Sequence, residues 1–260
     1  MAQDISYVPP REIEQLADCA FYHFMDLPGV GTVGDHWDLR STIDDYLGHF
    51  DFAGKRVLDV GAASGFLSFE MEKRGADVVS FDIPDGGQWN YVPFAQPAFD
   101  AAKLVKDLRS HVDRIKNAYW YAHRVLGSRA RAYYGDIYDI PLALGPVDVA
   151  LFGMVLPHLR DPFKALASGA RLSREWVIVV QQGTTSADPV MHFMPDPRTL
   201  ADPISWWFMS EGCVERMLEV LGFKLWAKTR AQHHCVIRKR WEQCTTFIGR
   251  RQHPPLEPPS

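Results

Sequence analysis

The first chemistry legible in this chain is that of a glycine-spaced turn followed by an acid. Val57-Leu58-Asp59-Val60-Gly61-Ala62-Ala63-Ser64-Gly65-Phe66 leads from a short apolar run into the start of a helix. Gly61 lets the backbone turn sharply and approach a ligand, and Gly65 lets the helix begin close to the strand. Asp82, with Ile83 beside it, ends the next apolar run, where a carboxylate can accept from both hydroxyls of a ribose. The spacing is G-x-x-x-G. It lacks the central glycine that close approach to a pyrophosphate requires, which argues against a dinucleotide. His158 follows a later apolar run, and an imidazole that titrates near neutrality suits the removal of a proton from a nucleophile.

Strands alternating with helices must position these residues. Apolar runs at 56–60, 77–82, 130–135, 147–153 and 176–182 read as strands. Segments at about 65–74, 100–126, 162–173 and 211–221 read as helices, the last stopped by Gly222. Further strand-like runs lie at 223–229 and 243–249. Such alternation implies parallel β-α units around a buried sheet. Upstream, 10–25 carries apolar residues at helical spacing after a proline, and 41–49 reads as a second helix. The expected organisation is an N-terminal helical extension over 1–50, an α/β domain over 51–250 and a disordered, Pro-rich tail over 251–260. Two excursions, 84–116 and 183–209, leave from the carboxyl ends of strands, so they can form a lid over one pocket.

Composition narrows the class. With 260 residues, one elaborated domain is the default. A net charge of -4 does not suit a dedicated nucleic-acid binder. No apolar run is long enough to span a bilayer, and the first residues lack the pattern of a signal peptide. Cys19, Cys213, Cys235 and Cys244 are scattered, which suits reduced thiols in a cytoplasmic protein. No metal is expected: His233-His234 has no third ligand at persuasive spacing. A homodimer is allowed for.

The glycine turn resembles motif I of the class I S-adenosylmethionine (SAM) methyltransferases, V-L-D-x-G-x-x-x-G. Gly135-Asp136-Ile137-Tyr138 resembles that family's turn after strand three, and Phe152-Gly153-Met154-Val155-Leu156-Pro157-His158-Leu159-Arg160-Asp161-Pro162 resembles its strand-four motif. The resemblance implies a Rossmann-like, seven-stranded sheet with helices on both faces, SAM as cofactor and S-adenosylhomocysteine as product. It places the methionine part at Gly61, Ala62, Ser64 and Gly65, the ribose at Asp82 and Ile83, and the adenine at Asp136 and Ile137. Gly153 and Met154 would stand by the cofactor, and Asp59 would support the turn or reach the amino group through water.

A narrower likeness is to the bacterial tRNA wobble-uridine carboxymethyltransferase and its small-molecule relatives. It is carried by His36-Trp37-Asp38-Leu39-Arg40, the M-V-L-P-H-L-R-D-P form of the strand-four motif, and Trp206-Trp207-Phe208-Met209-Ser210. The cationic and aromatic residues that hold carboxy-SAM in the tRNA enzyme have no evident counterparts, and its long N-terminal domain is not matched. The expectation is therefore ordinary SAM and a small-molecule acceptor, most simply a hydroxyl of a secondary metabolite or sugar, with tRNA as the alternative. His158 is the expected base. Trp37, Trp206 and Phe208, in loops or insertions, are assigned to the substrate pocket, as is one face of the aromatic helix segment with Tyr119, Trp120 and His123. The other face of that segment is assigned to the sheet. The basic residues Arg238, Lys239, Arg240, Arg250 and Arg251 are expected in a solvated loop and tail.

Overall fold

The structure, a computed structural model, describes residues 5–254. Its centre is an eight-stranded sheet. Strands β1 (Met25–Leu27) and β2 (Gly31–Val33) form a small hairpin outside it. Within it lie β3 (Trp37–Asp38), β4 (Arg56–Val60), β5 (Asp77–Asp82), β6 (Arg131–Tyr134), β7 (Val147–Gly153) and β8 (Ser173–Gln181). A second small sheet holds β9 (Gly183–Thr184), β10 (Met191–Phe193) and β11 (Trp207–Ser210), and the main sheet is completed by β12 (Phe223–Cys235) and β13 (Arg240–Arg251). The main order is β3-β12-β13-β8-β7-β4-β5-β6. The expected sheet is present, with two-residue β3 as an eighth strand at the edge beside β12.

The central strands β4, β5, β7 and β8 pair in parallel, Leu58 lying beside both Val79 and Ala150. Side chains alternate across a strand, so each run feeds two cores. Val57, Val78, Val149 and Ile178 face helices α2 (Phe66–Lys73) and α3 (Ala101–Leu126). Leu58, Val79, Ala150 and Val177 face α4 (Pro162–Ala170) and α5 (Glu211–Val220). The helices are capped as their sequences direct. Asp100, Asp161 and Ser210 accept the N–H of Lys103, Lys164 and Cys213 at 2.8, 2.8 and 3.1 Å.

The N-terminal extension is not helical as expected. Only Leu16–Asp18 forms a turn of 3₁₀ helix, and α1 shrinks to Ile43–Tyr46. The rest is an extended strap that carries the β1–β2 hairpin and β3, and α3 satisfies several of its backbone groups. Ala20 donates its N–H to the Arg114 carbonyl at 2.9 Å, Arg114 Nη2 donates to the Cys19 carbonyl at 3.1 Å, and Asn117 donates to the Asp18 carbonyl at 3.1 Å. Tertiary partners here override local spacing. At the other end Arg251 belongs to β13, and Gln252 donates its N–H to Gly222, so the tail is ordered through these residues; 255–260 lie outside the described residues. The terminal arginines are not freely solvated either. Arg250 lies over Trp176 and Trp226, and Arg251 donates to the Ala170 and Ser173 carbonyls. Among the described residues no helix is long and apolar enough to cross a membrane.

One buried ionic cluster joins α5 to β12 and β13. Glu211, 3% exposed, accepts from Arg230 Nε at 2.6 Å, Lys228 Nζ at 2.9 Å and Thr245 Oγ1 at 3.0 Å. The Arg230 guanidinium above all holds the carboxyl at about 2, below its ordinary value of 4.5. A lowered folded value means that the contribution to stability is complete above about 4.5 and is lost as pH falls toward 2. Glu211→Gln therefore destabilises the chain by about 1.5–3 kcal/mol at pH 7, since Arg230 loses its carboxylate partner while Lys228 keeps Glu215 at 2.7 Å. In urea unfolding the gap between variant and wild type narrows as pH drops through that window; a pH-independent gap would contradict the assignment.

Candidate active site

A cavity of about 1020 Å³ opens at the carboxyl ends of β4, β5, β6 and β7. The β4 run ends at Val60, and Gly61 turns the chain at φ +83° while donating its N–H to the Phe81 carbonyl at 2.8 Å. A Cβ on Gly61 would stand 2.8 Å from Val155 Cγ2, so any side chain there displaces the loop after β7. Gly65 caps α2 at φ +88°, and a Cβ there would sit 2.5 Å from the Phe69 ring. Asp82 then knits the turn to β5. Its Oδ2 accepts the Ala63 N–H and its Oδ1 the Ile83 N–H, each at 2.7 Å. Burial raises its pKa against these donors and the Lys116 charge. Asp136, at the end of β6, accepts the Tyr138 N–H at 2.9 Å and lines the cavity with Ile137.

The far side of the cavity is aromatic. Tyr22 stacks on His36 with ring centres 4.8 Å apart, and Trp37, Tyr46 and Trp89 complete the walls. His158 stands on the turn after β7, with its Nδ1 2.9 Å from the Ile204 carbonyl. That contact assigns the proton to Nδ1 and leaves Nε2 as the basic nitrogen. Burial lowers the His158 pKa, so the ring is neutral near pH 7. The two excursions meet as a roof. Val92 donates its N–H to the Pro203 carbonyl at 2.7 Å, and Trp206 Nε1 donates to the Asn90 carbonyl at 2.9 Å. Asn90 Oδ1 also accepts from the Tyr138 hydroxyl at 2.5 Å and the Arg160 N–H at 3.2 Å.

Comparison with known families supplies what geometry alone does not. A family model described as "Methyltransferase domain" matches residues 37–228. The chain belongs to the methyltransferase-domain family. Solved structures agree on the fold. A 1,6-didemethyltoxoflavin-N1-methyltransferase from Burkholderia thailandensis, with that substrate and S-adenosylhomocysteine bound, has a TM-score of 0.52 at 15% identity, over 83% of this chain and 78% of its own. The magnesium protoporphyrin IX methyltransferase of Synechocystis PCC 6803, holding S-adenosylhomocysteine, scores 0.52 at 16% identity, over 82% of each chain. A SAM-dependent methyltransferase from Methanosarcina mazei scores 0.55 at 14% identity, over 82% of this chain and 98% of its own. No curated protein matches by sequence.

In this methyltransferase the residues expected at the cofactor, with His158 and Trp37, divide into two groups. Gly61, Asp82, Ile83, Asp136, Ile137, Gly153, Met154, His158 and Trp37 line the cavity. Asp59, Ala62, Ser64 and Gly65 stand behind it. Asp59 is buried and accepts from Ser68 Oγ at 2.6 Å; desolvation pushes it up to about 7. It holds α2 against β4 and is not among the cavity-lining residues, while its Oδ1 has no hydrogen-bond partner among the described residues. Ala62 donates its N–H to the Phe81 carbonyl, and Ser64 Oγ accepts the Tyr22 N–H at 3.2 Å, which pins the strap.

The aromatic helix segment corrects the expectation. Tyr119 and Trp120 lie in the core, bonded to Ser80 and Tyr134, and His123 bonds the Ala130 carbonyl. They pack on the sheet because α3 turns this face inward. Trp206 and Phe208 also lie outside the cavity lining: Trp206 fastens the roof, and Phe208 sits in β11 opposite His192 of β10. Tyr22, His23, Tyr46 and Arg238 line the cavity without having been singled out for it. Tyr22 and His23 fall in the segment whose spacing imitates a helix, so nothing in the sequence separates them from core residues. His233 bonds Thr42, and among the described residues no group of three His, Cys, Asp or Glu is placed to hold a metal.

Proposed function

We propose that this methyltransferase transfers the methyl group of SAM to a hydroxyl oxygen of a small molecule, a secondary metabolite or a sugar. The observation that carries the reading is the cavity, lined by the glycine turn and Asp82 together with His158 and aromatic side chains. Its volume of about 1020 Å³ is at the upper end for small-molecule pockets (~300–1,000 Å³), room for a cofactor and an acceptor together. The residues fit the cofactor: Gly61, at φ +83°, turns the backbone along the cavity wall, and Asp82 offers a buried carboxylate held by two backbone donors. When bound, SAM supplies an electrophilic methyl on sulfonium sulfur. Gly61 and Asp82 hold its methionine and ribose parts, and Asp136 and Ile137 its adenine. His158 Nε2 takes the hydroxyl proton as the oxygen attacks, and Ile204 keeps the ring in the tautomer that can do so. The strap and the roof exclude water.

The narrower likeness to the tRNA enzyme is a weaker reading. Among the described residues Arg238 is the single Arg or Lys lining the cavity, and one cation is not the basic stripe that an RNA backbone needs. The four cysteines are free and buried, which supports a reducing, cytoplasmic setting.

Calorimetry with S-adenosylhomocysteine tests the cofactor, and hydrogen exchange tests the lid. We expect one-to-one binding, and slower exchange over 84–116 and 183–209 when the ligand is present. Absence of binding rejects the function; equally slow exchange in both states rejects a moving roof.

A further inference from the structure

The turn between β12 and β13 closes one side of the cavity. Val236 donates its N–H to the His36 carbonyl at 2.7 Å, which ties this turn to the strap. Lys239, at φ +52°, reverses the chain, and Ile237 and Arg238 face the cavity. A guanidinium has five N–H donors in a planar fork. Among the described residues Arg238 makes one hydrogen bond, a long 3.3 Å contact from Nη1 to Glu242 Oε1. That oxygen has a closer partner in Arg240 Nε, at 2.7 Å. Arg238 thus keeps most of its donors, and it is the cavity's single Arg or Lys.

Arg238 stands close enough to act on the cavity: burial raises the Tyr22 hydroxyl and lowers His158, and the Arg238 charge works to lower each. The acids on the lining are placed differently. Asp82 and Asp136 stand at the cofactor end, and Asp202 belongs to the roof, acting on His158 in the opposite sense to Arg238. Arg238 stands at the rim, its side chain 48% exposed, and the aromatic side chains of Tyr22, His36 and Trp37 line the same cavity as His158. A carboxylate entering such a space loses its hydration and is tolerated only where a cation meets it. A planar guanidinium with free donors meets a carboxylate with two parallel hydrogen bonds.

We propose that the acceptor is an aromatic hydroxy acid whose carboxylate is bound by Arg238 while its hydroxyl is presented to His158. This rests on the methyl-transfer reading above and adds the substrate class. Arg238 is then the residue that selects acids over neutral analogues of the same shape.

The test uses the full chain saturated with S-adenosylhomocysteine. Hydroxylated benzoates, cinnamates and naphthoates, each paired with its methyl ester, are titrated calorimetrically. At least one acid binds about tenfold or more tightly than its ester. Arg238→Ala abolishes that preference and leaves S-adenosylhomocysteine affinity and thermal unfolding unchanged; Arg238→Lys retains part of it. Arg240→Ala, whose side chain serves Glu242, retains it all. The proposal is overturned if no acid in the panel outbinds its ester, or if Arg238→Ala keeps the preference. Failure of the wild type to bind S-adenosylhomocysteine would overturn the methyl-transfer reading instead, which separates the two.

Discussion

His158→Ala lowers the rate of methyl transfer to a hydroxyl acceptor by about 10²–10⁴. A phenol, with a pKa of about 10, is almost wholly un-ionised near neutrality and an aliphatic hydroxyl is far less acidic still, so in either case the proton leaves as the bond to carbon forms. The structure adds a direction to the pH dependence. Burial lowers the His158 pKa, so the ascending limb of the wild-type profile lies below the ordinary histidine value of about 6.5. Above that limb Nε2 is unprotonated and the rate is flat; below it the base is occupied by a proton. The variant loses the limb. Single-turnover measurements isolate chemistry from product release. S-adenosylhomocysteine affinity stays within about twofold, because the cofactor contacts belong to other residues. Near-wild-type chemistry with the limb intact would make His158 structural. Suspicion would then fall on His36, which lines the cavity. His123 bonds a backbone carbonyl beside the core, and His192 sits on an exposed strand.

Asp82→Ala weakens S-adenosylhomocysteine binding by more than about tenfold, since each charge-assisted hydrogen bond from a ribose hydroxyl to a carboxylate is worth about 1.5–3 kcal/mol. The loss has a second source. The carboxylate accepts the N–H groups of Ala63 and Ile83, so its removal also releases the turn that shapes the methionine end. Asp82→Asn presents an amide group to one of those donors, and its affinity falls as well. Unchanged affinity by calorimetry in both variants would take Asp82 out of the cofactor site.

The parallel core was legible because a strand buried on both faces writes itself as an unbroken apolar run. The limits of β4, β5 and β7 coincide with Arg56–Val60, Asp77–Asp82 and Val147–Gly153 as read from the sequence. The long helix was legible as the segment at about 100–126 and forms over Ala101–Leu126, where Gly127 closes it at φ +62°. Two features were not. The 10–25 segment has helical spacing, yet its backbone is satisfied by side chains of α3, nearly a hundred residues downstream, and spacing carries no record of such partners. The direction in which a helix turns its aromatic face is likewise set by the sheet beneath it. Tyr119 and Trp120 have the residue types of a binding wall and the location of a core. On the cofactor side, the motif located the turn correctly, but type and spacing could not separate residues that face the cavity from those that brace it, such as Asp59 and Ser64.

The roof also sets the order in which the molecule matures. The turn at 61–65 and β5 are joined across 19 positions by the Ala63–Asp82 bond, and β4 finds β7 once the chain has reached Gly153. The bond from Trp206 to Asn90 spans 116 positions, and closing so large a loop is slow. During synthesis the cofactor-contacting strands are complete well before the ceiling can be assembled over them. A nascent chain that ends near residue 180 holds the floor of the site without its cover. Ligand affinity therefore arises in the last stage of folding, and a ligand that binds only the covered form pulls that stage to completion.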